Sequence, residues 1–159
     1  MNNIFETIYC WLDSFFGISL EQYLQGFSCA TQGYTSANQF NLYGGVALGL
    51  AAFVMILYYY IINHPRQNRW WIWMLYGLAV GIINFIVAAW KTIYDLNNGL
   101  IDDCLVNMRD SSGYIIGQLI TTTDCIGFAV VNLLWSMVFY AILSVLFKWF
   151  STNCKHSPF

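Results

Sequence analysis

Three long apolar runs constrain this chain more than any other feature of its sequence. They are Leu42–Ile62, Trp70–Trp90 and Ile126–Phe147, and each holds 21 or 22 residues without a charged side chain. At a rise of about 1.5 Å per residue, a helix of that length crosses the ~30 Å hydrocarbon core of a bilayer. Charged residues make up only 9% of the chain, against about 25% in a typical soluble domain. The sequence therefore predicts an all-α integral membrane protein with three transmembrane helices.

The segment that precedes the first run is polar enough to exclude a signal peptide. It has no basic start and no uninterrupted apolar core, and it carries Glu6, Asp13 and Glu21. A fourth span there is the alternative, but each charge near a helix centre costs about 2.5–3.5 kcal/mol on insertion scales. We therefore expect residues 1–41 to lie outside the membrane.

Residues 3–16 show the period of an amphipathic helix. One face is apolar and the opposite face holds Glu6 and Asp13. The apolar face consists of Ile4, Ile8, Trp11, Leu12 and Phe15, with Phe5, Tyr9 and Phe16 beside it. Such a helix lies flat in the membrane interface or docks onto protein. Surface helices that bind lipid are usually basic, so the acidic residues favour docking onto protein.

Lys and Arg in short loops predict which way the spans face. The turn 63–69 contains Arg66 and Arg69, so it should face the cytoplasm or its equivalent. Three spans then place the N-terminus outside and the tail 148–159 inside, and residues 91–125 form an external loop. All eight acidic residues fall outside with only Lys91 and Arg109, which gives 2 − 8 = −6 on that side.

Four of the five cysteines fall in the external segments. Cys154 alone is internal, and the external four are Cys10, Cys29, Cys104 and Cys125. An even number of thiols in an oxidising compartment predicts up to two disulfides, for which three pairings exist. The pairs Cys10–Cys29 and Cys104–Cys125 are local, whereas a cross-pairing would tie the N-terminal segment to the external loop.

The external loop carries turn signals rather than a recognisable site. Asp95–Gly99 and Asp110–Gly113 are both typical of solvated turns. The first lacks the acidic twelfth ligand of a calcium loop, since Val106 stands there. Residues 114–123 fit either an outward extension of the third span or a short strand.

No pattern in the sequence predicts catalysis, a cofactor or a metal. There is no Cys-x-x-Cys, no glycine-rich phosphate loop and no basic aromatic surface for nucleic acid. The loose set of His64, Cys154 and His156 is a weak metal pattern. We therefore expect no catalytic, cofactor-binding or metal-ligating residues, and no nucleic-acid partner.

Small and polar residues in the spans indicate close helix contacts. The first span has Gly45 and Gly49 four residues apart, and the second has Gly77 and Gly81. Such stripes let membrane helices approach closely, and buried amides bond across the contact. The amides Asn84 and Asn132 occupy matching depths, so an interhelical bond is expected. Asn132 also begins a stripe with Ser136 on the third span, which fits either helix packing or the lining of a pore.

These features predict a non-catalytic membrane subunit that acts by assembly. Three helices bury little interior of their own, so an assembly is expected in the bilayer, with further copies or other membrane subunits. The alternative is an oligomeric ion channel or pore whose acidic outer mouth concentrates cations. The charge pattern fits a bacterial inner membrane, an organellar membrane or a plasma membrane equally well.

Overall fold

The computed structural model describes residues 4–35, 38–62 and 70–148. The predicted internal turn 63–69 and residues 149–159 of the predicted internal tail lie outside the described residues. Arg66, Arg69 and Lys155 therefore enter only through the sequence, as does the loose set of His64, Cys154 and His156.

The described residues are mostly helical, with two very short hairpins among them. The helices are α1 Ile4–Cys10, α2 Ile18–Gln25, α3 Gln39–Ile56, α4 Trp70–Asn97, α5 Asp103–Val106 and α6 Thr122–Lys148. A 3-10 turn, Asp13–Phe15, follows α1, and a π-helical segment, Leu57–Ile62, follows α3. The antiparallel hairpins pair β1 Phe27–Ser28 with β2 Gly33–Tyr34, and β3 Asn107–Arg109 with β4 Ile115–Gln118.

Three helices are long and apolar enough to cross a membrane. They cover Gln39–Tyr59, Trp70–Asn97 and Thr122–Phe147. The predicted set of three is therefore confirmed, and no fourth helix of this kind occurs among the described residues. Each helix begins before its apolar run or continues beyond it, because backbone hydrogen bonding follows capping and turn signals as well as hydrophobicity.

The start of α6 shows this directly. The Thr121 hydroxyl accepts from the Asp124 backbone N–H at 3.4 Å, and the Asp124 carboxylate accepts from the Thr121 N–H at 2.8 Å. This reciprocal pair is a capping box, and it places the helix start four residues before the apolar run at Ile126. At its C-terminal end, α4 continues seven residues past Trp90 and ends before Gly99, whose φ is +65°.

Three sequence expectations change in the structure. The N-terminal helix ends at Cys10 and continues as a 3-10 turn, instead of running to Phe16. Residues 115–118 form strand β4, so the short strand was the correct alternative. Asp95 lies inside α4 and is buried, because the helix extends past the predicted end of the second span; its assignment to a solvated turn was wrong.

The described chain forms two compact units. Unit 1 contains Met1–Gly44 and Ile86–Val131, and unit 2 contains Gly45–Phe85 and Asn132–Phe159. All eight acidic residues and the four cysteines predicted to be external belong to unit 1. The tertiary structure thus groups in one unit the acids and the cysteines that the sequence predicts to lie on one side of the membrane.

Unit 1 has an aromatic core. The Tyr9 ring stacks on Phe40 with a centroid distance of 5.4 Å, and Phe128 meets Phe16 edge-on at the same distance. Tyr43 also packs edge-on against Phe128 at 5.0 Å. These rings come from α1, the turn before α2, α3 and α6. Aromatic pairs of this geometry contribute about 0.5–1.5 kcal/mol beyond burial, so the N-terminal segment is part of the folded core.

Candidate functional site

A disulfide links the N-terminal segment to the segment between α4 and α6 in unit 1. It joins Cys29, next to β1, to Cys104 in α5, with a Cα–Cα distance of 6.3 Å across 75 residues of sequence. Among the described residues Cys10 and Cys125 are free thiols. The structure therefore contains the cross-pairing, and neither local pair is formed.

The two segments joined by the bridge also share a hydrogen bond. The Cys29 backbone N–H donates to the Asp102 carboxylate at 2.8 Å, one residue before α5 begins. A native disulfide typically stabilises a fold by about 2–4 kcal/mol. The first hairpin and α5 are therefore held together covalently.

Asp95 is the polar centre of unit 1. Its carboxylate is 1% exposed, forms an ion pair with Lys91, and accepts a hydrogen bond from the Tyr23 hydroxyl at 2.8 Å. Gln39 in turn donates to the Tyr23 oxygen at 3.1 Å. A buried carboxylate is stable only when it is paired and hydrogen-bonded. These contacts connect α4 to α2 and α3 within the unit.

Sequence reasoning missed this cluster, although one signal for it was present. Lys91 and Asp95 stand four residues apart, the spacing that places two side chains on one helix face. Tyr23 gave no comparable signal, because its partner is 72 residues away. Burial and the bond to Asp95 both raise the pKa of the Tyr23 hydroxyl, so it acts as a neutral donor.

A small cavity lies beside the cluster. It has a volume of about 190 Å³, and its lining includes Tyr23, Phe27, Gln39, Leu100 and Asp102. Pockets that enclose drug-sized ligands measure about 300–1,000 Å³. This cavity is therefore too small for such a ligand, and it identifies no substrate.

The surroundings of the free Cys10 thiol do not favour its nucleophilic form. Its sulfur accepts a hydrogen bond from the Gln25 amide at 3.6 Å. Burial, followed by the hydrogen bond to Glu21, raises the pKa of the Cys10 thiol to about 12. Thiolate is the nucleophilic form of cysteine, and the raised pKa leaves little of the Cys10 thiol in that form at neutral pH. In the part of the chain that the structure covers, no three His, Cys, Asp or Glu side chains form a possible metal site.

The predicted polar contact between the second and third spans lies in unit 2. The Asn132 amide N–H donates to the backbone carbonyl of Asn84 at 3.0 Å, and both residues are buried. The Asn84 side chain donates to the Val80 carbonyl of its own helix at 3.1 Å. Ser136 donates to the Asn132 carbonyl at 2.6 Å. The expected interhelical bond therefore forms, but it runs from side chain to backbone.

The two glycine stripes have different surroundings within unit 2. A Cβ added at Gly77 would lie 2.9 Å from the Tyr140 ring, and one at Gly81 would lie 3.2 Å from Leu133. Both glycines therefore allow α4 to pack closely on α6. A Cβ added at Gly45 or Gly49 would meet no atom within 4 Å from the rest of the described chain. The stripe on α3 is thus open.

The N-terminal segment has two apolar rows with different environments in unit 1. One row packs on the unit itself: Phe5 lies against Gly44, and Tyr9 and Phe16 are fully buried. The other row is 59% to 79% exposed and consists of Ile4, Trp11, Phe15 and Ile18. Sequence reasoning placed Ile4, Trp11 and Phe15 at the centre of the docking face and Tyr9 at its side. The structure docks the helix through the side row.

Comparison of the chain with protein-family models, curated proteins and solved structures found no match. A functional proposal for this protein therefore depends on the geometry of its own residues.

Proposed function

We propose that this chain is a non-catalytic integral membrane subunit that acts by assembly, either with further copies of itself or within a larger membrane complex. Its three long apolar helices would span the bilayer, with the N-terminus outside and the C-terminus inside. The acids and the disulfide of unit 1 would then lie on the outer side. A bacterial inner membrane, an organellar membrane and a plasma membrane all fit this arrangement.

The open glycine stripe on α3 is the observation that carries the proposal. Membrane helices associate through close backbone approach at small residues, since lipid leaves little hydrophobic driving force between them. The equivalent stripe on α4 is filled by Tyr140 and Leu133, whereas Gly45 and Gly49 are exposed. A helix from another subunit is the natural occupant of such a face.

The second hairpin offers an additional contact surface in unit 1. Its apolar side chains are more than half exposed, namely Met108, Tyr114, Ile115 and Ile116. Exposed strands that carry apolar residues are typical of surfaces that pair with protein. In the proposed orientation this hairpin lies outside the membrane, where a partner domain would contact it.

The alternative of an oligomeric pore has less support. A water path along α6 would use Asn132 and Ser136, but both are buried within unit 2 and bonded to backbone carbonyls. Opening such a path requires these contacts to break. We therefore favour a packing role for the stripe on α6.

Native mass spectrometry of the full chain, purified in mild detergent, tests the proposal. We expect either one mass ladder of identical subunits or defined foreign subunits. Gly45→Leu and Gly49→Leu should each weaken the association at least tenfold, because a large side chain blocks close approach. Ala79→Leu is the matched control, since it adds the same side chain at an exposed position of α4. A monomer at all concentrations, or equal effects of the three variants, would refute the proposal.

A further inference from the structure

The exposed apolar row of the N-terminal segment extends from α1 to the first residue of α2. Ile4 lies in α1, Trp11 directly follows that helix, Phe15 ends the 3-10 turn and Ile18 begins α2. All four side chains are 59% to 79% exposed. In a soluble domain such a row would face water. Its position on the membrane helices of unit 1 indicates another environment.

Two close contacts fix the depth of the segment. The Phe5 ring lies against Gly44 of α3, and the Phe15 carbonyl lies against Gly127 of α6. Gly44 is the third residue of its apolar run and Gly127 the second of its own. At about 1.5 Å per residue, both contacts fall within roughly one helical turn of the ends of these runs. The segment therefore crosses α3 and α6 where the hydrocarbon core would begin.

The helix surfaces of unit 1 near this level are also exposed and apolar. They include Leu42 on α3, Ile126 and Val130 on α6, and Trp90 on α4. In the proposed orientation these residues meet acyl chains and head groups. The exposed row of the N-terminal segment continues the same surface at the same depth.

The acidic residue of α1 does not interrupt this row. Glu6 stands two residues from Ile4, which places it on the opposite side of α1, and Glu6 accepts a hydrogen bond from Asn38 at 2.9 Å. Trp is the residue most characteristic of the membrane interface. A helix with an apolar edge at this depth lies in the interface plane with that edge between head groups and acyl chains.

We propose that the row Ile4–Trp11–Phe15–Ile18 is a lipid-binding edge, seated in the outer leaflet at the boundary between head groups and acyl chains. It rests on the membrane placement in the proposed function, but it is independent of the assembly. The N-terminal segment thus binds its own chain with one row and lipid with the other. The surfaces left for protein partners are the α3 stripe and the second hairpin.

Photo-crosslinking from three exposed aromatic positions tests this edge. Benzoylphenylalanine replaces Phe15, Phe53 on α3, or Tyr114 in the second hairpin, one at a time, in the full chain reconstituted in phosphatidylcholine nanodiscs. The native side chains are 59%, 58% and 77% exposed, so Phe15 and Phe53 are closely matched and Tyr114 is the most accessible of the three. After irradiation, mass spectrometry scores lipid and protein adducts. Benzoylphenylalanine in place of Ile18 measures lipid adducts from a second position of the same row.

We expect lipid adducts from Phe15, Ile18 and Phe53, and at least tenfold fewer from Tyr114. If Phe53 yields lipid adducts while Phe15 and Ile18 yield only protein adducts or none, the edge is not lipid-binding and the membrane placement stands. If Phe53 yields no lipid adducts, the membrane placement fails and the inference fails with it. A formed Cys29–Cys104 bridge in each variant shows that the chain has folded.

Discussion

Asn84 and Asn132 occupy equivalent depths but contribute differently to stability. Asn132→Leu removes the bond from its amide to the Asn84 carbonyl, and such interhelical bonds contribute about 0.6–2 kcal/mol. We expect a loss of about 1 kcal/mol in the free energy of unfolding. Titration with dodecyl sulfate, followed by tryptophan fluorescence, measures it.

Asn84→Leu is the matched comparison. The backbone carbonyl of residue 84 still accepts from Asn132 in this variant. The leucine also removes Asn84 Oδ1, which is buried without a hydrogen-bond partner in the described chain, and an unsatisfied buried acceptor is costly. We expect a change within about 0.5 kcal/mol of zero, or a gain. Equal losses in the two variants would instead indicate a bond between the two side chains.

The cysteines make a second prediction. Peptide mapping without reduction should find Cys29 joined to Cys104 and no bridge at Cys10 or Cys125. At pH 8 the native Cys10 thiol should react with iodoacetamide at least tenfold more slowly than in unfolded protein, because burial raises its pKa to about 12 and little thiolate is present. A Cys10–Cys29 peptide, or equal alkylation rates, would contradict this structure.

These residues show what the sequence can and cannot predict. The positions of Asn84 and Asn132 within their apolar runs predict that the two residues lie at the same depth, because helical rise converts sequence position into depth. The choice of a backbone acceptor depends on side-chain rotamers and on helix rotation, neither of which leaves a periodic signal. The pairing of Cys29 with Cys104 likewise depends on how two distant segments pack. Cysteine count alone leaves three pairings open.

Gly127 controls the docking of the N-terminal segment on α6. In an unobstructed helix, Gly→Ala stabilises by about 0.5–1 kcal/mol. A Cβ at Gly127, however, would overlap the carbonyl oxygen of Phe15, so the segment must move. In Gly127→Ala we expect amides 9–17 to exchange hydrogen at least tenfold faster in nanodiscs, with α3 unchanged.

Gly117→Ala is the control for this variant. It lies in β4, and a Cβ there meets nothing within 4 Å in the part of the chain that the structure covers. We expect its exchange pattern to match that of the unmodified chain. Unchanged exchange in Gly127→Ala would show that the segment does not contact α6. Faster exchange throughout α3 as well would indicate general unfolding instead of undocking.

The N-terminal segment also shows why amphipathic period alone is insufficient. Within α1 the period correctly separates the acidic Glu6 from the apolar Ile4. It could not divide the apolar side into a row for protein and a row for lipid, because both are hydrophobic. Shape makes that division: Gly44 and Gly127 lack side chains, which leaves room for Phe5 and for the Phe15 backbone.

The separation of charge along the sequence leads to a prediction about the whole chain. The predicted external segments carry a formal charge of 2 − 8 = −6, and the predicted internal segments carry +4. Either sign could in principle fix the orientation in the bilayer. Basic residues in short loops dominate insertion, whereas acidic residues contribute little. Two variants test which sign of charge determines the orientation. One removes only basic residues, and the other removes only acidic residues.

In the first variant, glutamine replaces all four predicted internal bases, Arg66, Arg69, Lys148 and Lys155. In the second, the amides replace Glu6, Asp13 and Glu21. Labelling of Cys154 with a membrane-impermeant maleimide on intact cells, with peptides identified individually, reports the side of the C-terminus. We expect external labelling of a substantial fraction in the first variant and none in the second or in the unmodified chain. The reverse result would mean that the acids orient the protein. The acidic residues would then determine the orientation of the chain. If basic residues in short loops determine it, the external position of the acidic residues is only a result of that orientation.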